Sequence, residues 1–135
     1  AVSRRAVKDP TEIWRVNTNG KSARRLTFFN RAVEDSVDIR PVQERWIPGA
    51  DGIPVHTFIV KPHHFDPHKK YPLILNVHGG PQGQWADAFR GDWQVYPGAG
   101  YIVAFPNPHG STGYGQAYTA EISKDWGGKV YEDVM

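Results

Sequence analysis

The sequence predicts an α/β fold in which antiparallel strands lead into a pair of buried parallel strands joined by a crossover helix. Three observations carry this reading. Leu73–Val77 and Tyr101–Phe105 are near-continuous apolar runs, the pattern of strands covered on both faces. Between them Trp85, Ala88, Phe89, Trp93 and Tyr96 recur at helical spacing, which predicts the crossover helix of a right-handed βαβ unit. Upstream, Val42–Ile47 and Pro54–Val60 alternate apolar and polar residues around the turn cluster Pro48–Gly52, which predicts an antiparallel pair at the sheet edge.

The remaining elements follow from local chemistry. Glu12–Val16 alternates, Asn19-Gly20 tolerates the positive φ of a tight turn, and Ala23–Phe28 returns, so residues 12–28 are expected to form a β-hairpin. Residues 29–38 are polar and acidic and are expected to be a linker. Lys61–Lys70, with two prolines and three histidines, is expected to be a surface loop. After Phe105 comes a glycine-rich loop, Asn107–Gly115, then a helix over Gln116–Ser123 and the start of another at Tyr131–Met135. The chain begins at Ala1 and its only methionine is Met135, so both ends are expected to be cuts in a longer polypeptide.

Composition narrows the function classes. The 135 residues carry 16 basic and 14 acidic side chains, a formal charge of +2, which gives no electrostatic footprint for nucleic acid or an anionic membrane. The local run Arg24-Arg25 is read as a solvated strand face. With no cysteine there is no disulfide and no thiolate metal site, and the compartment is left open. No apolar stretch is long enough to span a bilayer. His56, His63, His64 and His68 lack a paired carboxylate motif and are read as solvated histidines rather than a metal site.

The chemistry sits in His78-Gly79-Gly80-Pro81, directly after the first buried strand. Acyl-transfer enzymes must stabilise negative charge on the attacked carbonyl oxygen, and backbone N–H groups fixed at a strand-to-helix turn are already aimed where that charge develops. Glycine lets such a backbone approach the substrate without a Cβ in the way. With Val42–Ile47 first and Pro54–Val60 second, Leu73–Val77 is the third strand, and a His-Gly-Gly loop after the third strand is where α/β-hydrolases place one oxyanion donor.

Three segments in order carry a family resemblance: Asn76-Val77-His78-Gly79-Gly80-Pro81-Gln82, then Ala99-Gly100-Tyr101 through Pro108 with Gly110-Ser111-Thr112-Gly113-Tyr114-Gly115, then Asp125-Trp126-Gly127-Gly128 with Glu132-Asp133. Together they resemble the prolyl oligopeptidase family of serine peptidases. The Glu12–Phe28 hairpin resembles the closing strands of the β-propeller that precedes the hydrolase domain there. The resemblance implies that residues 1–33 end a β-propeller and residues 34–135 form the N-terminal half of an α/β-hydrolase domain. It implies hydrolysis of short peptides, by dipeptidyl or acylaminoacyl release, with the remainder of the parent as the partner of this chain. It implies no metal or organic cofactor. Carried across by position, Gly80 and Gly79 supply oxyanion-hole N–H groups. His78 stands where some relatives bind the oxyanion through tyrosine, and either does so or braces the loop. Pro81, Gln82 and Trp85 are the candidate substrate-binding residues, while Phe89 and Trp93 are read as core. The family usually has Arg where this chain has His109.

No Gly-x-Ser-x-Gly elbow occurs; the serines are Ser3, Ser22, Ser36, Ser111 and Ser123. Ser111 follows the fourth strand, whereas the nucleophile belongs after the fifth, so it is assigned to a turn or helix cap and the triad is expected beyond Met135. Asp125 and Glu132-Asp133 could form an acid/base pair, but helix caps and first-turn charges explain Glu132 and Asp133, because acids favour a helix N-terminus. Two other readings stay open: a carboxylesterase or lipase on the same fold, and a non-catalytic module on an incomplete hydrolase scaffold. Without a fifth strand the central strands expose an unpaired apolar edge, so the isolated chain is expected to self-associate.

Overall fold

The computed structural model describes residues 1–80 and 82–135. Two sheets form. The first is antiparallel and three-stranded, in the order β1 (Val2–Ala6), β2 (Asp9–Arg15), β3 (Arg24–Arg25). The β2–β3 return lies within the expected hairpin, although only Trp14↔Arg25 and Arg15↔Arg24 pair, with Leu26 N–H donating to Ile13 O at 2.8 Å. β1 was not legible, because Val-Ser-Arg-Arg-Ala is exposed and carries no alternation. The sheet turns Glu12 inward and leaves Ile13 partly exposed.

Glu12 organises this region. Its carboxylate accepts from the Thr27 hydroxyl and from Asn30 N–H (2.9 Å), and pairs with Arg25 Nη2 at 2.8 Å. Arg25 also forks onto Glu34, with bonds of 3.1 and 3.0 Å. Arg25 is therefore half-buried and doubly paired, not part of a solvated strand face. The expected linker contains helix α1 (Arg31–Ser36), started by Asn30 O accepting from Val33 and Glu34 N–H. It buries none of its residues, so no apolar stripe announced it.

The second sheet has the order β4-β5-β7-β6, from β4 (Val42–Pro48), β5 (Pro54–Val60), β6 (Leu73–Leu75) and β7 (Ile102–Asn107). β4–β5 and β5–β7 pair antiparallel, and β6–β7 pair parallel. β7 has partners on both sides, so the expectation of two unpaired central strands narrows to one: of the parallel pair only β6 has an open side, where Leu73, Leu75 and Val77 are exposed, and β4 forms the other edge of the sheet.

Helix α2 (Asp92–Gly98) packs on β7 and β5. Trp93 stacks on Phe105 with centroids 3.9 Å apart, and Val7, Phe58, Val60 and Val103 complete the core. Val7, between β1 and β2, ties the first sheet to the second, and its N–H donates to Asp87 Oδ1 at 2.7 Å. The expected long crossover helix is shorter than its aromatic spacing suggested: Trp85, Ala88 and Phe89 lie before it in irregular chain, and only Trp93 and Tyr96 are helical. Helices α3 (Gln116–Ala120) and α4 (Lys129–Val134) follow, with a turn over residues 121–124 where α3 was expected to continue.

Candidate functional site

The glycine loop leaves the C-terminal end of β6, the end at which open α/β sheets place their ligands. Asn76 extends the strand by one bond, N–H to Ala104 O at 2.9 Å, and the chain then turns out through Val77 and His78. Gly79 and Gly80 are exposed. Gly80 has φ +137°, which only glycine adopts without strain, and a Cβ there would meet Gln82 N at 3.1 Å. Among the described residues neither Gly79 N–H nor Gly80 N–H has an acceptor. Two unspent donors thus stand at the end of a parallel strand.

The loop is held from outside by the glycine-rich segment 107–115. His78 Nε2 lies 2.9 Å from Ser111 Oγ, and Ser111 Oγ lies 2.6 Å from Pro108 O. A serine has one hydrogen and the carbonyl takes it, so the imidazole Nε2–H donates to Ser111 Oγ. Thr112 N–H donates to Gly83 O at 2.9 Å. The buried Asn107 side chain accepts from Trp85 N–H at 2.7 Å and donates to Trp85 O at 3.1 Å. The indole N–H of Trp85 closes the base of the loop on Asn76 O at 3.1 Å.

The candidate residues separate accordingly. Gly79 and Gly80 are brought to one exposed turn. His78 is tied to Ser111 beneath it. Gln82 is exposed and, with Gly80, Ile122, Lys124 and Trp126, lines an open crevice of about 330 Å³. Pro81 lies outside the described residues. Trp85 does not line that crevice; its indole packs edge-on against Trp93 and Phe105, with centroids 5.7 and 5.5 Å away. Phe89, expected in the core, is half-buried beside Val37, Ile39 and Gln94. Ser111 is fully buried and serves the turn expected of it, its N–H and Oγ–H both donating to Pro108 O, in addition to receiving His78.

Two groups escaped the sequence reading. Tyr114 OH accepts from Asn107 Nδ2 at 2.8 Å and so donates to His56 Nδ1 at 2.7 Å, leaving His56 Nε2–H for Glu44 at 3.0 Å. Burial raises the Tyr114 phenol above its ordinary pKa against the opposing Asn107 bond, so it remains a protonated donor. Asp133 is the second. It was read as a helix cap or first-turn charge, yet it sits in the last turn of α4 with its side chain fully buried. Its Oδ2 accepts from His109 N–H (2.6 Å) and Nδ1–H (2.7 Å), and its Oδ1 from Ala50 N–H (2.9 Å). Gly49 makes room for this carboxylate, since a Cβ there would lie 2.5 Å from Oδ1. Tyr118 covers His109, with ring centroids 4.6 Å apart, and its phenol is pushed up by burial first and by the Asp133 charge second. Glu132 does lie in the first turn of α4, and Asp125 Oδ2 accepts weakly from Lys129 N–H at 3.4 Å at its start.

The parallel β6–β7 pair, with β7 buried, β6 exposed at Leu73 and Leu75 and a glycine loop at the C-terminal end of β6, defines an α/β fold. Comparison with known proteins carries this further. The model of the prolyl oligopeptidase family matches residues 73–135, the stretch that holds β6, the loop, β7 and the clamping segment. The chain is 47% identical over 106 residues to dipeptidyl-peptidase 5 of Schizosaccharomyces pombe, covering 76% of this chain and 16% of that protein. It is 40% identical over 127 residues to dipeptidyl-peptidase 5 of Trichophyton schoenleinii, covering 91% of this chain and 17% of that one. In fold it is similar to Pyrococcus horikoshii acylaminoacyl peptidase, with a TM-score of 0.87 at 23% identity over 98% of this chain and 21% of that structure. The chain belongs to the prolyl oligopeptidase family. It spans about a sixth of the length of the curated relatives it matches.

Proposed function

We propose that this chain is the oxyanion-loop portion of a serine peptidase that hydrolyses short peptides, releasing dipeptides or N-acylated residues from their amino ends. In that reading residues 34–135 are the first half of an α/β-hydrolase domain and residues 1–33 close a β-propeller. The observation that carries it is the pair of exposed amides at Gly79 and Gly80, without acceptors among the described residues, at the end of β6. Donors held in place before the reaction stabilise the tetrahedral intermediate without reorganising, which is why a clamped loop suits the task. The nucleophilic serine attacks the scissile carbonyl, a histidine moves its proton to the leaving amine, and both lie on polypeptide outside these residues. His78 braces the loop, because its Nε2–H is committed to Ser111. Gln82 lies beside the bound peptide. The names of the relatives, dipeptidyl and acylaminoacyl peptidases, support the substrate class.

The test compares this chain with the longer protein that contains it. The 135 residues alone are expected to cleave neither dipeptidyl chromogenic amides nor simple esters. In the longer protein amides are expected to be cleaved, and Gly80→Ala to lower kcat about 100-fold with little change in KM, the size of losing one oxyanion donor. An unchanged kcat in Gly80→Ala overturns the reading. A specific turnover by the 135 residues that disappears with Ser111→Ala overturns the placement of the nucleophile elsewhere.

A further inference from the structure

We infer that Asn107 is a positioning residue for the reaction, aiming the Gly79 and Gly80 amides through a two-bond clamp on Trp85; the inference rests on the oxyanion-loop reading. Asn107 is the last residue of β7 and is fully buried. Its primary amide faces the backbone of Trp85 as an opposing strand residue would, accepting from the N–H and donating to the carbonyl. The orientation is fixed by chemistry: exchanging oxygen and nitrogen would set donor against donor and acceptor against acceptor. The second Asn107 N–H is taken by Tyr114 OH, whose own hydrogen goes to His56. Every hydrogen in this row is thereby assigned, and rotating the Asn107 amide would break three bonds at once.

The clamp acts on the site because of where Trp85 stands. Its indole N–H holds Asn76 O, the last sheet-bonded residue before the glycines, while its own backbone is pinned to β7. Residues 77–84 therefore span two points fixed to the same sheet. Ser111 and Thr112 add a hold on His78 and Gly83 within the span. Among the described residues the Gly79 and Gly80 amides have no acceptors of their own to fix them, so their direction is inherited from these anchors. A misplacement of about 1 Å at a reacting centre can cost on the order of 100-fold in rate.

The experiment uses the longer protein and three variants. Asn107→Leu keeps the volume and removes the clamp. Tyr114→Phe removes only the hydroxyl that fixes the amide. Glu12→Ala breaks the buried cluster of the first sheet and serves as a destabilised control. Asn107→Leu is expected to lower kcat about 100-fold with KM within twofold, and Tyr114→Phe about fivefold, the worth of one hydrogen bond. Both are expected to speed amide exchange at Trp85 and across residues 78–85, while Glu12→Ala lowers the melting temperature without changing kcat. Should Asn107→Leu fail to fold, Tyr114→Phe carries the same two readouts. If the clamp variants lose melting temperature but keep kcat and loop exchange, Asn107 is structural only and the inference falls. If they do so while Gly80→Ala lowers kcat as expected, the oxyanion reading stands without it; if Gly80→Ala is also silent, both fall.

Discussion

Removing the carboxylate of Asp133 provides the sharpest test of the packing described above. Three donors converge on it, His109 N–H, His109 Nδ1–H and Ala50 N–H, at 2.6, 2.7 and 2.9 Å. The side chains of Asp133 and His109 are both fully buried. A hydrogen bond to a charged acceptor contributes about 1.5–3 kcal/mol, and deleting one partner of a buried pair costs about 3–5 kcal/mol because the other is left without water or partner. Asp133→Ala is therefore expected to destabilise the fold by about 3–5 kcal/mol, roughly 10–20 °C in Tm for a chain of this size. Asp133→Asn offers one acceptor oxygen where two are needed and turns an amino group toward a donor, so about half that loss is expected. Glu132→Ala, exposed on the same helix, should stay within about 0.5 kcal/mol of the parent sequence. Urea unfolding followed by tryptophan fluorescence measures all three. A loss below about 1 kcal/mol for Asp133→Ala, with an unchanged denaturant slope, would refute the claim that this carboxylate joins α4 to the β4–β5 turn.

Two further outcomes follow from the geometry. Burial raises the Glu12 carboxyl, but the bonds from Thr27, Asn30 N–H, Arg25 and Phe29 N–H outweigh it and hold the pKa down to about 2 from its ordinary 4.5. The stability this group contributes is present above pH 4.5 and is lost as the pH falls toward 2. The urea midpoint of the parent sequence should fall across that window more steeply than that of Glu12→Gln, and parallel curves would show that the carboxylate is not held charged. The open β6 edge, with Leu73, Leu75 and Val77 exposed, is expected to make the 135-residue chain associate at micromolar concentration, with Leu75→Lys shifting it to smaller species in light scattering; a monodisperse parent monomer contradicts this.

Strand order was legible where burial imposed a pattern. The apolar runs at Leu73 and Tyr101 and the alternation of Val42–Ile47 and Pro54–Val60 became the second sheet, because one face of β5 and both faces of β7 had to be covered. The Asn-Gly turn was legible because positive φ selects its residues; Gly20 has φ +75° and donates to Asn17 O. The helix α1 was not, since none of its residues is buried and an unburied helix has no period to read. The His109–Asp133 pair was not, since the partners lie 24 residues apart with nothing in their spacing to join them. In the site, the exposed glycines could be found from chain order, while the residues that aim them could not. Asn107 read as the start of a glycine-rich loop and Ser111 as a turn or cap residue, and only the folded chain shows what they hold.

The over-long helix expected across Trp85–Tyr96 makes the same point in energetic terms. Those aromatics do fall at helical spacing, and four of them could have shared one face. A helix through Trp85 would have committed its N–H and C=O to neighbours one turn away. Instead the Asn107 side chain takes both, and Thr112 N–H takes the Gly83 carbonyl. Groups from β7 and the segment after it thus take the Trp85 N–H and C=O and the Gly83 C=O, so these backbone groups are paired although the chain is irregular. What the irregular path gains is position: the indole of Trp85 turns back to Asn76 and enters the Trp93–Phe105 stack, closing a short loop directly on the sheet. A regular helix would have freed the glycine turn from that anchor. The departure from local preference falls beside the candidate site, where a fold trades regularity for the placement of a few groups.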